Sequence, residues 1–328
     1  MNKLSVNYLG LNLQNPIIVG SSGLTNDIHE IAELEARGAA AIVVKSLFEE
    51  EIISSTTDDL NKMRSSGFIY PETLEYFNLD DIDDPVSNYL KFLKDAKKEV
   101  KIPVIASINC ITSEGWTDFT KRIEDTGADA IELNVFPLSS DPRRSAEENE
   151  NTYFEIAQKV TDVTKLPVSM KISYFHAGLA NFIERLSRTK LKGLVLFNRF
   201  YNVDFNLDTF GYSNSHVFST PAELSNSLRW IAIMSGRVNC DLAASTGVHD
   251  GYGAIKQLLA GAAAVQVVST IYKNGKEQIS FILQQLEQWM NRNGYNSIAE
   301  FKGNMSYDKT YNPAALERVQ FMKYFNEK

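Results

Sequence analysis

The sequence predicts a (β/α)8 TIM barrel with loop insertions at the C-terminal face of the strands. Eight short apolar runs recur along the 328 residues, separated by stretches long enough for a helix, and they end on polar or small residues. The runs are 16–20 (PIIVG), 40–44 (AAIVV), 103–108 (PVIASI), 130–134 (AIELN), 168–172 (VSMKI), 193–197 (GLVLF), 241–244 (DLAA) and 264–268 (AVQVV). A parallel strand covered on both faces reads as continuous Val, Ile, Leu and Ala, and alternating β and α signals imply a parallel sheet. A doubly wound open sheet gives the same alternation, but no G-x-G-x-x-G follows the first run.

Position along each unit then becomes a functional clue, because a barrel of this kind carries its binding and reacting groups at the C-terminal strand ends. Taken in order, the rim holds Ser21, Ser22 and Gly23, then Lys45 and Ser46, then Asn109, Asn134 and Lys171. The later units add Asn198 with Arg199, Thr246 with Gly247, and Ser269 with Thr270.

Three stretches exceed a simple connection. Residues 47–85 carry SSTTDD and YPETLEYF and read as an excursion near the rim. Residues 139–151 (SSDPRRSAEENEN) read as a loop after the fourth strand, and 200–221 as an aromatic loop after the sixth. The length fits one catalytic domain, 1–328, and 44% hydrophobic residues can fill its core.

A net charge of −8 argues against nucleic-acid binding, which needs clustered Lys and Arg. No run of about 18 apolar residues is present for spanning a bilayer, and the first residues lack a signal-peptide core, so a soluble cytoplasmic protein is expected. Cys110 and Cys240 have no metal-ligand spacing, so no metal site is expected.

The last two units have the character of a phosphate site. Small residues at Ser245–Gly247 let backbone N–H groups approach an anion, and Ser269 and Thr270 add hydroxyl donors; a tight turn and a helix cap are the plainer alternative. Lys45 and Lys171 each close an apolar run, an expensive place for an ammonium unless it faces a polar ligand or a carboxylate. A flavin ring is one such ligand, a Schiff base another possibility for a buried lysine, and a structural pair with Glu132 the third.

Several stretches resemble the dihydroorotate dehydrogenases, in particular the soluble class 1 enzymes. They are NPIIVGSSG (15–23), GAAAIVVKS (38–46), PVIASI (103–108), GADAIELN (127–134), PVSMKI (167–172), STGVHDGYGAIKQLLAGAAAVQVVST (245–270) and GYNSIAEFKG (294–303). The resemblance implies a barrel with noncovalent FMN that passes hydride between a dihydropyrimidine, dihydroorotate in the first instance, and the flavin. It implies FMN contacts from Ser21, Ser22, Gly23, Lys45, Ser46, Asn134, Lys171, Thr246, Gly247, Ser269 and Thr270, to which rim position adds Asn109. Lys45, Asn134, Ser139 and Asn198 are the expected catalytic set. The same resemblance implies a homodimer, and with no Cys cluster for an iron–sulfur relay and no appended membrane helix a soluble electron acceptor is expected.

The chain departs from that family in three places. Asn134 is followed by VFPLSS where the family has a Cys or Ser that removes the substrate proton, so Ser139, Ser140, Tyr174, His176 and Arg199 are the substitutes that loop position offers. The family's Asn-x-x-Gly-Leu-Pro-Asn loop is not found in 47–85, and Tyr212-Ser213-Asn214-Ser215-His216 stands in place of a Gly-rich stretch. Two other outcomes therefore accompany the first: an FMN enzyme for another unsaturated cyclic substrate, or a non-catalytic flavin- or phosphate-binding barrel.

Overall fold

All eight apolar runs fold as parallel strands because both of their faces are covered. The computed structural model describes residues 3–48, 85–109, 116–200, 203–213 and 217–319. The strands are β3 (Ile17–Val19), β4 (Ala41–Val43), β6 (Val104–Asn109), β7 (Ala130–Asn134), β8 (Val168–Ile172), β9 (Gly193–Leu196), β12 (Asp241–Ala244) and β13 (Ala264–Val267). They run in the order β4-β3-β13-β12-β9-β8-β7-β6, and a β4–β6 pairing closes the ring. The fold is therefore a (β/α)8 barrel.

One face of each strand packs outward on the helices. Ile17, Val19, Ile42, Val104, Ile131, Met170 and Leu194 belong to this outer core with Ile31, Leu93, Ile156, Phe182 and Leu258. Those partners lie on helices α1 (Ile28–Ala36), α2 (Pro85–Glu99), α4 (Ala146–Thr161), α5 (Leu179–Ser187) and α7 (Gly251–Ala260); α3 (Trp116–Glu124) and α6 (Leu224–Met234) complete the ring with α8 (Ser269–Asn274) and α9 (Gln278–Asn293). Burying such side chains is worth roughly 1.5–3 kcal/mol each.

The barrel's N-terminal end is stoppered by an antiparallel hairpin that the sequence reading did not foresee, β1 (Val6–Tyr8) with β2 (Leu11–Leu13). Tyr8, Leu9 and Leu13 insert among Ala41, Ala130, Ala243 and Ala264, whose small side chains leave the room. Gly193 is part of the same fit, since a Cβ there would lie 2.5 Å from Leu9 Cδ2. The Leu9 amide is fixed by Asp241 Oδ2 at 2.8 Å.

At the other end β4 stops at Val43, and the short β5 (Leu47–Phe48) resumes pairing with β6. The turn between them lifts Lys45 and Ser46 to the rim. The predicted excursion at 47–85 lies outside the described residues beyond Phe48, as do Cys110 and 214–216. The predicted loop at 139–151 turns helical from Ala146 onward. Ser145 caps α4 by accepting from Glu148 N–H, and the Glu148 side chain returns the bond, a capping box that the S-x-x-E spacing carries. The loop at 200–221 contains an exposed hairpin, β10 (Asp204–Asn206) with β11 (Gly211–Ser213). Among the described residues no helix is long and apolar enough to cross a membrane.

Candidate active site

Side chains two apart on a strand share a face, which aims Glu132, Asn134, Lys171 and Gln266 into the barrel. Lys171 Nζ donates to Gln266 Oε1 at 3.0 Å, and Gln266 Nε2 donates to Glu132 Oε2. β7 and β13 are not neighbours, so this chain of bonds spans the interior. Lys171 Nζ lies 4.0 Å from Glu132 Oε1, which is buried with no hydrogen-bond partner. Burial pushes the Glu132 carboxyl up, opposed by Lys171 and Gln266, and pushes the Lys171 ammonium down, opposed by Glu132. The lysine is thus both a cleft residue and a member of the Glu132 pair expected as its structural alternative.

Above this floor runs a chain of hydroxyls and an amide. Ser21 Oγ and Ser46 Oγ are 3.0 Å apart, and Ser46 N–H donates to Ser21 Oγ. Ser46 Oγ meets Ser107 Oγ at 2.8 Å, and Asn134 Nδ2 donates to Ser46 Oγ at 2.8 Å. Asn134 Oδ1 is left buried without a partner. A buried unpaired acceptor costs about 1–3 kcal/mol, so a donor from a ligand would relieve it.

Ser21, Lys171, Asn198, Thr246, Gly247 and Ser269, expected from the sequence, line one cleft of about 270 Å³. Arg199, Ser219, Ser245 and Gln266 line it too. A recess of about 190 Å³ adjoins it, sharing Asn198, Arg199, Ser245 and Thr246 and adding Tyr174, Phe197 and Phe200. Together the two fall in the size range of small-ligand sites, ~300–1,000 Å³.

At the end formed by β12 and β13, Ser269 and Thr270 open α8, where the first amides have no carbonyl before them in the helix. Thr246 and Gly247 both have positive φ, 76° and 79°. The glycine answers to packing as well as to the cleft, since a Cβ at Gly247 would sit 2.2 Å from Leu224 N. Ser219 and Lys273 were not foreseen. Lys273 Nζ donates to Ser219 O at 2.7 Å, Ser219 N–H donates to Ser269 Oγ at 3.0 Å, and Ser219 Oγ is 3.1 Å from His249 Nε2. No residue spacing announces this cluster, because it joins the 200–221 loop to two distant units.

Other expected residues hold different places. Ser22 Oγ donates to Gly20 O, and Thr270 Oγ1 to His249 O, so both hydroxyls are committed to the fold. Gly23 begins a 3-10 turn in which a Cβ would meet Tyr272 Oη at 2.7 Å. Asn109 is buried at the end of β6, opposite Asn134 on β7, and half-buried Lys45 stands beside Ser46, its amide donating to Thr25 O. None of these five lines the described cleft, and neither do Ser46 and Asn134.

Ser139 is set apart from the other expected residues. It is exposed and outside both the cleft and the recess, as is Ser140. His176 also turns away. It stacks on Phe182 at 4.1 Å and meets Tyr153 edge-on, and burial pushes its imidazole down to about 4. Of the substitutes for the missing base, Tyr174 and Arg199 remain at the recess, and Arg199 is held by Glu223 at 2.8 Å and by Val217 O at 2.8 Å.

In place of a base stands an aromatic wall. Phe136 packs edge-on to Phe200 at 6.0 Å, Phe200 to Phe175 at 4.7 Å, Phe175 against Tyr174 at 4.5 Å, and Tyr174 edge-on to Phe197 at 5.7 Å. These residues follow the C-terminal ends of β7, β8 and β9.

With this arrangement in hand, the family described as Dihydroorotate dehydrogenase matches residues 3–290. The chain belongs to the dihydroorotate dehydrogenase family. It is 28% identical over 325 residues to the catalytic subunit of dihydroorotate dehydrogenase B (NAD(+)) of Thermoplasma volcanium, covering 92% of this chain and 98% of that one. It is 24% identical over 318 residues to a putative dihydroorotate dehydrogenase A (fumarate) of Aeropyrum pernix, covering 92% and 97%. It is also 23% identical over 326 residues to the chloroplastic dihydropyrimidine dehydrogenase (NADP(+)) of Arabidopsis thaliana, covering 92% and 76%. In this family member, the stretches 15–23, 167–172 and 245–270 contribute to the lining of the cleft, and Phe136, from the departure after β7, joins the aromatic wall.

Proposed function

We propose that this protein is an FMN-dependent oxidoreductase acting across a carbon–carbon bond of a dihydropyrimidine-like ring, with dihydroorotate to orotate the first reaction to test. The observation that carries this is the convergence of Lys171, Ser21 and Asn198 with the Thr246–Gly247 turn and Ser269 on one cleft. The donor set fits FMN: an ammonium for a ring edge, an unpartnered buried amide oxygen on Asn134 for a ring N–H, and helix-start amides for a phosphate. Two names among the relatives, dihydroorotate and dihydropyrimidine dehydrogenase, support a redox change on the same kind of ring.

When bound, FMN supplies a ring that takes up or returns a hydride equivalent. Lys171 holds a positive charge at the cleft floor, Ser21 and Ser46 position Asn134, and Asn198 faces both the cleft and the recess. Tyr174 is the hydroxyl this reading assigns to proton exchange with substrate. Lys45 completes the rim charge near Ser46, and residues 1–328 act as one FMN-binding unit. A soluble electron acceptor and a homodimer belong to the same proposal. Self-association is supported by exposed apolar side chains on the β10–β11 hairpin, Leu207 and Phe210 among them.

A second reading is favoured by the aromatic wall: reduction of another unsaturated cyclic substrate. A phenolic hydroxyl is better suited to give a proton than to take one at neutral pH, and stacked rings favour a flat apolar partner. Absorption spectra before and after anaerobic dihydroorotate separate the two. Flavin bands that bleach support the first reading; bands that persist and then reappear after chemical reduction, when a cyclic enone is added, support the second. A protein that neither carries nor takes up FMN overturns both.

A further inference from the structure

Beneath the cleft lies a buried ionisable group that the proposed chemistry does not touch. Glu132 is fully buried at the centre of β7, and its Oε1 has no hydrogen-bond partner. A carboxylate is retained in such a place at a cost of several kcal/mol unless a charge or hydrogen bonds offset it. Here the offset comes from one direction. Gln266 places its amide N–H on Glu132 and its carbonyl on Lys171, so the orientation of the amide is fixed by a donor on one side and an acceptor on the other.

We propose that Glu132 is a positioning residue that acts through Gln266 and Lys171: its carboxylate keeps Lys171 charged and holds its Nζ at the cleft floor. Lys171 and Gln266 line the cleft, whereas Glu132 does not, so Glu132 exerts its effect on a ligand only through them. The device rests on the flavin reading only for what the charge acts upon.

Its parts are few. Among the described residues, the titratable groups that face Glu132 are Lys171 on β8 and, from the N-terminal hairpin, the Tyr8 phenol; Lys171 in turn faces Glu132. Tyr8 is neutral, its phenol pushed well above the ordinary value by burial and by the charge on Glu132. Glu132 therefore supplies the negative charge next to Lys171, and without it burial alone acts on the ammonium and favours the neutral amine.

The test compares the full-length chain with Glu132→Gln, which keeps shape and a hydrogen-bonding oxygen, and Glu132→Asp, which keeps the charge. In protein dialysed free of small molecules, cyanate carbamylates neutral amines, and peptide mass spectrometry reads the rate at Lys171 against pH. The expected result is a rate at pH 8 at least fivefold higher in E132Q, with the pH profile displaced downward and E132D close to wild type. Folding is monitored by circular dichroism. An unchanged Lys171 profile in folded E132Q overturns the proposal.

A second readout is the midpoint potential of FMN-loaded protein. Loss of the cation should weaken reduced relative to oxidised FMN about tenfold, a fall of about 30 mV for the two-electron couple. A shifted lysine profile with no change in potential upholds the Glu132–Lys171 device and instead counts against a flavin edge at Lys171.

Discussion

The Tyr89 hydroxyl occupies both backbone hydrogen-bonding positions of Ser107: it accepts from Ser107 N–H at 2.7 Å and donates to Ser107 O at 2.8 Å. β4 pairs with β6 through Val43 and β5 through Leu47, and between them Ser107 faces the turn that carries Lys45 and Ser46. A side chain from α2 thus replaces a missing strand partner. The turn can rise to the rim without leaving a buried backbone pair unsatisfied.

Tyr89→Phe should therefore cost about 1–3 kcal/mol, the usual penalty for unpaired buried backbone groups. The measurement is the shift in urea midpoint at unchanged slope. Because Ser107 Oγ contacts both Ser46 and Asn134, the variant should also hold FMN less tightly.

Asn134→Ala removes the donor to Ser46 and the unpartnered oxygen offered to a ligand. The expected outcome is FMN affinity at least tenfold weaker, about 1.4 kcal/mol, measured by quenching of flavin fluorescence.

Tyr174→Phe and Ser139→Ala distinguish two proposals for proton transfer. Tyr174 lines the recess and Ser139 does not. Loss of the phenol should lower turnover about 100-fold or more, whereas Ser139→Ala should leave it within about twofold. The reverse order would return the proton to the 135–145 segment.

His176 sets an acid limit on stability. Its folded-state value, about 4, lies below the ordinary 6.5, so the unfolded chain binds more protons between them. Its contribution is fully present above pH 6.5 and is lost as pH falls toward 4. His176→Phe should flatten the fall in thermal midpoint across that window, and pH-dependent melting of both proteins checks it.

Much of this architecture was legible because strands buried on two faces leave an uninterrupted apolar signal. Each predicted run contains a strand, and β7, β8 and β12 match to the residue. The β1–β2 hairpin was missed because its strands are only three residues long, with polar Asn7 and Asn12 between apolar neighbours. At the site, Ser21 and Thr246 were readable from their place after a strand, and Lys171 from its place at the C-terminal end of one. Ser219, Lys273 and the Gln266 link were not, because their roles depend on which distant units meet across the barrel. Gln266 in particular sat inside an apolar run, where only the crossing to Glu132 reveals its purpose.

The hairpin at the N-terminal end also governs traffic. With Tyr8, Leu9 and Leu13 filling the opening at that end, the described residues leave the cleft no approach through the N-terminal end of the barrel. On the proposed flavin reading, the reactant that delivers electrons and the one that removes them then share the opposite rim, the first product departing before the second reactant arrives. That reading predicts an alternating order of substrates, seen as parallel lines in double-reciprocal initial-rate plots.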